Sequence, residues 1–174
     1  MSSPTKKQAL KEILIFSLPI IFGQIGLMLI GTGDMIIAGR STKLGQPEIR
    51  VGIMPGAGGT QHLLRTIGKY RASKMVLTGE PVAAPDALAM GLLSEMVEDG
   101  RALSRALELA KTIAAMPPLA VRAIKEVLQK GADAPLETAL ALERKAFVTL
   151  FGSIDQKEGM NAFLEKRKAA FKGA

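Results

Sequence analysis

Cysteine and tryptophan are absent from this 174-residue chain, and aromatic residues make up only 4% of it. Without cysteine there is no disulfide framework, no thiolate zinc site and no cysteine nucleophile, and the fold is indifferent to the redox state of its compartment. His62 is the only histidine, and no carboxylate cluster at metal-ligand spacing surrounds it, so no metal site is expected. The bland reading of His62, an exposed side chain on a helix, is the one adopted.

What is present is aliphatic. Hydrophobic residues reach 48%, and with so few rings the core must be built from Leu, Ile, Val, Met and Ala. Ala- and Leu-rich sequence with few β-branched runs points to helix. The length suits about one domain. The net charge is +7, but the basic residues are scattered among acidic neighbours, as in Arg122, Lys125, Glu126 and again in Glu143, Arg144, Lys145. That pattern describes solvated helix faces. It lacks the clustered stripe that nucleic-acid binding requires, and it is compatible with attraction for a polyphosphate ligand.

Residues 13–33 (ILIFSLPIIFGQIGLMLIGTG) form an uncharged apolar run preceded by Lys6, Lys7 and Lys11. About 20 such residues at 1.5 Å rise cover a hydrocarbon core of ~30 Å, and the positive flank would keep the N-terminus in the cytoplasm. Pro19 is tolerated in a membrane helix, and Gly23, Gly26, Gly31 and Gly33 suit close helix packing there. The run therefore reads as a transmembrane-like helix, with a buried helix of a soluble protein as the alternative. A cleaved signal peptide lacks its small-residue site.

Beyond the run, IRVGIM (49–54) alternates and reads as a short strand. PGAGG (55–59) requires backbone freedom that only glycine supplies. Thr60 can cap a helix whose apolar face is Leu63, Leu64 and Ile67, and Gly68 ends it. A second helix is expected near 70–77, stopping at Thr78-Gly79, and a third has Pro85 in its first turn and ends at Gly91. LLSEMV (92–97) reads as a second strand. Helices are then expected near 101–115, 117–130, 135–151 and 154–170, punctuated by Pro117, Gly131 with Pro135, and Gly152. A glycine-rich loop ahead of a helix can cradle an anion, though PGAGG lacks both the P-loop ending and the dinucleotide spacing, and by itself reads as a tight turn.

Two resemblances add to this. LPIIFGQIGLMLIGTGDMIIAGR (18–40) resembles the first transmembrane helix of multidrug and toxin extrusion (MATE) transporters. Such transporters need about a dozen helices, so transport by this chain is not expected. From Asp34 to Ala174 the chain resembles the C-terminal half of enoyl-CoA hydratase, of the crotonase family. The motifs are GQPEIRVGIMPGAGGTQHLLRTIG, LTGEPVAAPDALAMGLLSE, MPPLAVRAIKEVL and EGMNAFLEKRKAAFK, in the family's order and spacing. The pair of resemblances suggests a truncated chimera joined near GDMIIAGRSTKLGQPE.

The hydratase resemblance implies an α/β crotonase-like spiral fold, here truncated and mostly helical, with an N-terminal apolar helix. The expected parts are the apolar segment 1–33, a partial core 34–100, and a helical region 101–174 that trimerises in the family. It implies an acyl-CoA partner: a CoA thioester as substrate, and no further cofactor. Hydratases add water across the 2,3 double bond of an enoyl-CoA, using two glutamates and two backbone N–H groups that stabilise the thioester enolate. Glu48 matches one of those glutamates. Pro55, Gly56 and Gly58 of the loop are implied as substrate-binding, and Phe147 and Lys166 as residues that hold the CoA adenine and phosphates, in the family usually across a subunit boundary. Their bland readings are a core aromatic and a solvated lysine. In the family's register the second glutamate falls on Met28 and an oxyanion glycine on Ile25, and neither residue can replace its counterpart. The expectation is a hydratase-family chain of little activity, cytoplasmic in its hydratase-like part and with membrane association through residues 13–33. The alternative is a non-catalytic CoA-binding or oligomerisation module.

Overall fold

The computed structural model describes residues 26–27, 34–56 and 58–174. They fall into two compact units, Met1–Ala110 and Lys111–Ala174.

The described residues of the first unit include five short strands. β1 (Gly26–Leu27), β3 (Lys43–Gly45) and β4 (Val82–Ala83) form one sheet in the order β1-β3-β4. β1 runs parallel to β3, with Gly26 opposite Leu44 and Leu27 opposite Gly45, while β4 is antiparallel to β3. β2 (Ile37–Gly39) and β5 (Glu95–Val97) pair in parallel, Ala38 facing Met96. β1 overturns part of an expectation. The apolar run over 13–33 contributes at Gly26–Leu27 a strand rather than helix. The rest of that run, including Ile25 and Met28, lies outside the described residues. Among the described residues no helix is long and apolar enough to cross a membrane.

Three helices close over these strands. α1 (Gly59–Ile67) buries Leu63 and Ile67, one turn apart on the same face. α2 (Lys69–Thr78) buries Ala72 and Met75, and α3 (Ala84–Ala89), with Pro85 in its first turn, buries Ala84 and Ala87. With Ala38, Leu44, Leu92 and Leu93 they form one apolar core, against which Ile36, Val76, Val82, Met90 and Met96 are half-buried. Leu92 and Leu93, expected within the second strand, precede β5 and pack in that core. Arg105 of α4 (Ala102–Ala114) grips Glu95 of β5 with two hydrogen bonds, 2.6 and 2.9 Å.

Two local expectations fail for identifiable reasons. IRVGIM does not form a strand: Pro47–Val51 is a 3-10 turn. Pro47 opens it with a fixed φ and no N–H for a sheet ladder. Gly52, at φ +80°, closes it by donating to the Ile49 carbonyl at 3.2 Å. The alternating apolar side chains Ile49, Val51, Ile53 and Met54 are consequently exposed rather than turned into a core. Thr60 does not cap α1. That place belongs to Gly58, left-handed at φ +80°, whose carbonyl accepts the Gln61 and His62 N–H groups at 3.0 and 2.9 Å.

In the second unit α5 (Pro118–Gly131) packs on α6 (Leu136–Leu150). α7 (Ile154–Leu164) starts at Ser153, whose Oγ accepts the Gln156 N–H at 3.1 Å. α7 stops at Leu164, not near residue 170, because Lys166 takes a left-handed conformation, φ +52°. The chain then doubles back along α7. The Glu158 carboxylate accepts the Ala170 N–H at 2.8 Å. The buried Asp155 carboxylate accepts the N–H groups of Lys172 and Gly173 at 2.6 and 2.7 Å.

Candidate active site

Glu48 sits on the second residue of the 3-10 turn, directly after β3, and is half-buried. The residue that orients it is Gln46, which is only 3% exposed. A carboxylate offers only acceptors, so the Gln46 amide must turn its nitrogen toward it. In that orientation the nitrogen donates to Glu48 Oε1 at 2.8 Å and to Oε2 at 3.2 Å. Pro47 between them makes the spacing rigid.

The turn is braced from two sides by close backbone approach. A Cβ at Gly59, the first residue of α1, would stand 3.0–3.2 Å from the Gln46 amide, so only glycine lets the helix start directly over it. At the end of α2, a Cβ at Gly79 would come within 3.0 Å of Ile49 Cγ2 and 3.1 Å of Arg50 Nε. α1 and α2 thus both press on the turn after β3 that presents the Glu48 carboxylate.

The PGAGG loop links this turn to α1. Ile53 N–H donates to the Glu48 carbonyl at 3.3 Å, Pro55 is buried, and Gly56 is exposed with open space where a side chain would be. The Gly56 carbonyl accepts the Gly59 N–H at 2.9 Å. Gly58 lies under the ring of His62, whose Cδ2 and Nε2 are 2.8 and 2.9 Å from the position of a Cβ there. His62 is exposed on α1, as expected, and its ring makes a local packing contact on the loop. Glu48, Pro55, Gly56 and Gly58 are together in one stretch of chain. An oriented carboxylate beside an open glycine backbone is suited to moving a proton to or from a small group held against the loop.

Phe147 and Lys166 belong to the second unit. Phe147 is on α6 and is 61% exposed, so it is not a core aromatic; its ring meets Phe151 edge-on, with centroids 5.0 Å apart at 72°. Lys166 is the one non-glycine residue with positive φ among the described residues. Its N–H donates to the Phe163 carbonyl at 3.2 Å, and the next N–H, of Arg167, donates to the Ala162 carbonyl at 3.0 Å. This pair of bonds is the Schellman helix ending, in which the left-handed seat is usually glycine's. A lysine there costs roughly 1 kcal/mol or more in backbone strain.

Gln46 was not singled out from sequence. Its signal was available, since a polar side chain two residues before Glu48 and next to the short strand Lys43–Gly45 can reach the carboxylate. Its burial, however, depends on α1 folding back over it.

The sequence model of the enoyl-CoA hydratase/isomerase family matches residues 22–174. The chain is 42% identical over 176 residues to 2,3-dehydroadipyl-CoA hydratase of Escherichia coli (strain K12), covering 97% of this chain and 69% of that protein. It is 45% identical over 134 residues to a probable mitochondrial enoyl-CoA hydratase of Dictyostelium discoideum, covering 77% of this chain and 48% of the relative. The crystal structure of an enoyl-CoA hydratase from Bacillus anthracis superposes with a TM-score of 0.79 at 38% identity, over 82% of this chain and 55% of that one. The chain thus spans about half the length of the last two. The family match takes in residues 22–33, and the E. coli relative covers nearly the whole chain. The second half of the apolar run is accordingly read within the hydratase family. The likeness of residues 18–40 to a transporter helix, and the chimera and transmembrane-like helix inferred with it, are not supported. By family match, identity and fold together, this chain belongs to the enoyl-CoA hydratase/isomerase family.

Proposed function

We propose that the chain carries the Glu48 part of an enoyl-CoA hydratase site and that Glu48 handles the proton exchanged with water during addition to a 2-enoyl-CoA. Enoyl-CoA hydratases act on CoA thioesters and need no cofactor. In the addition, an O–H bond of water breaks, its oxygen bonds to the β-carbon, and a proton is delivered to the α-carbon, giving a 3-hydroxyacyl-CoA. The observation that carries the reading is the Gln46–Glu48 pair, a half-buried carboxylate held by a buried amide on a turn braced by two helices. The substrate is taken to lie against Pro55, Gly56 and Gly58, and Phe147 and Lys166 to meet the adenine and phosphates of a CoA held by a neighbouring subunit.

The rate is expected to be low, because Met28 and Ile25 stand where the family's register calls for the second glutamate and an oxyanion glycine. Losing an oxyanion donor costs about 10²–10³ in rate, and losing an acid/base partner about 10²–10⁴. The test is hydration of a short 2-enoyl-CoA, followed by loss of the conjugated thioester absorbance, with Glu48→Gln alongside. A rate that Glu48→Gln abolishes supports the hydratase reading. No rate above that of the variant removes it and leaves the second reading, a CoA-binding or oligomerisation module.

One observation favours that second reading. Leu128, Leu136, Phe147, Val148 and Phe163 are all more than half exposed in the second unit. Apolar surface of this kind marks association, and a homo-oligomer through these helices, a trimer in the family's manner, would cover it. A monomer mass in light scattering would exclude it.

A further inference from the structure

The segment after α7 shows a feature that the hydratase reading of Lys166 does not account for. A lysine occupies a left-handed helix ending, and the side chains of Arg167, Glu158, Glu165 and Asp155 hold the ending in place. Arg167, the next residue, forks onto Glu158, nine residues earlier on α7: Nη1 to Oε1 at 2.6 Å and Nη2 to Oε2 at 2.9 Å. Its Nε also reaches Glu165 Oε2 at 2.5 Å. Glu158 Oε1 in addition takes the Ala170 N–H. Farther on, both oxygens of Asp155 are engaged by Lys172 and Gly173 N–H groups. Residues 167–173 are therefore a strap laid back along α7 and fixed at two carboxylates, and Lys166 is the exposed residue at its bend. Sparsely populated backbone conformations persist only where the surroundings over-determine them, and an outlier of this kind points to function.

We propose that Glu158 and Asp155, acting through Arg167 and the strap backbone, are positioning residues that hold Lys166 in its left-handed conformation and so aim its ammonium group at the phosphates of a CoA ligand. The proposal rests on the reading that Lys166 meets those phosphates. It goes further in assigning a role to three residues that touch no ligand, and in explaining why lysine rather than glycine ends the helix.

The charges allow a test by sign. Glu158 is negative and lies near the bend, so removing its charge by Glu158→Gln would by field alone strengthen binding of an anion. Positioning requires the opposite. Arg167→Lys keeps the charge but loses the planar fork, so a field effect alone leaves affinity unchanged and positioning weakens it.

The experiment is a calorimetric titration of the full chain with CoA, repeated for Lys166→Ala, Lys166→Gly, Glu158→Gln, Asp155→Asn and Arg167→Lys, with thermal melts of each. The expected result is a loss of affinity of about tenfold for Lys166→Ala, the size of one charge-assisted contact. Losses in the same direction are expected for Glu158→Gln, Asp155→Asn and Arg167→Lys. The double variant Lys166→Ala/Glu158→Gln should bind no worse than Lys166→Ala alone. Lys166→Gly should melt higher than the parent and still bind more weakly, a combination that a purely structural role for the bend cannot give. If Lys166→Ala weakens binding while Glu158→Gln and Arg167→Lys do not, the positioning role is overturned and the ligand reading stands. If CoA fails to bind, or binds Lys166→Ala as well as the parent, the ligand reading itself fails and the proposal with it. Should Glu158→Gln or Asp155→Asn lose helical signal, Arg167→Lys decides alone.

Discussion

The Gln46 amide nitrogen stands 2.8 Å from Glu48 Oε1, and the same side chain lies under Gly59 at the first turn of α1. One buried amide thus links the carboxylate to the helix start. Replacing Gln46 by Leu keeps the bulk and removes the donor, leaving a half-buried carboxylate with one fewer partner. Such a loss costs about 1–3 kcal/mol. The expected result is an unfolding free energy lowered by that amount, read as a lower urea midpoint at unchanged slope, with any Glu48-dependent hydration rate falling as well. An unchanged midpoint would show that the carboxylate does not draw on the amide.

Gly59 provides an independent check of the same packing. A Cβ there would lie 3.0–3.2 Å from the Gln46 amide, so Gly59→Ala has to displace either the helix start or the amide. On helix propensity alone, alanine would stabilise by up to about 1 kcal/mol. A destabilised Gly59→Ala is expected, and a stabilised one would mean that the amide has room to move.

The core of the first unit is small and aliphatic, and Leu63 is its only large apolar side chain with no exposure among the described residues. Leu63→Ala leaves a cavity in the apolar core that α1 shares with Leu44, Met75 and Leu92. A loss of about 2–5 kcal/mol is expected by chemical denaturation. Much less than this would mean that the unit collapses around the gap.

How much of this was legible from sequence depends on how local each determinant is. The seven helices of the described residues were visible because their boundaries are written as single residues: Gly68 and Gly79 end α1 and α2, and Pro117 and Pro135 cap the starts of α5 and α6. IRVGIM misled because its alternation suits a strand, while Pro47 and Gly52 at its flanks enforce a turn. β1 was invisible because Gly26–Leu27 is a strand only by virtue of β3 beside it, and the sequence around it has the apolarity of a membrane helix. Glu48 was found through a resemblance. Gln46 was missed because its burial is created by α1. The strap was missed because Lys166 is a poor candidate for a helix stop, and only the distant Asp155 and Glu158 make it one.

The strap also gives the chain a pH response at a known place. The Arg167 guanidinium first, and then the Ala170 N–H, hold the Glu158 carboxyl down at about 2, against the usual carboxylate value of 4.5. A depressed folded-state pKa means that the unfolded chain binds the proton first as pH falls. The contribution of Glu158 is therefore complete above about pH 5 and is lost progressively from there down to about pH 2. Glu95, held down by Arg105, and Asp99, held down by the Ser41 N–H, respond in the same direction elsewhere in the chain. The Glu158 share is isolated by comparing the parent with Glu158→Gln. Their melting temperatures should differ most near neutral pH and converge toward pH 2, and the protection of the Ala170 amide, measured against its intrinsic exchange rate, should fall in the parent over the same range. A parent and variant that stay equally far apart from pH 7 to pH 2 would show that the Arg167 fork does not act through the charge of Glu158.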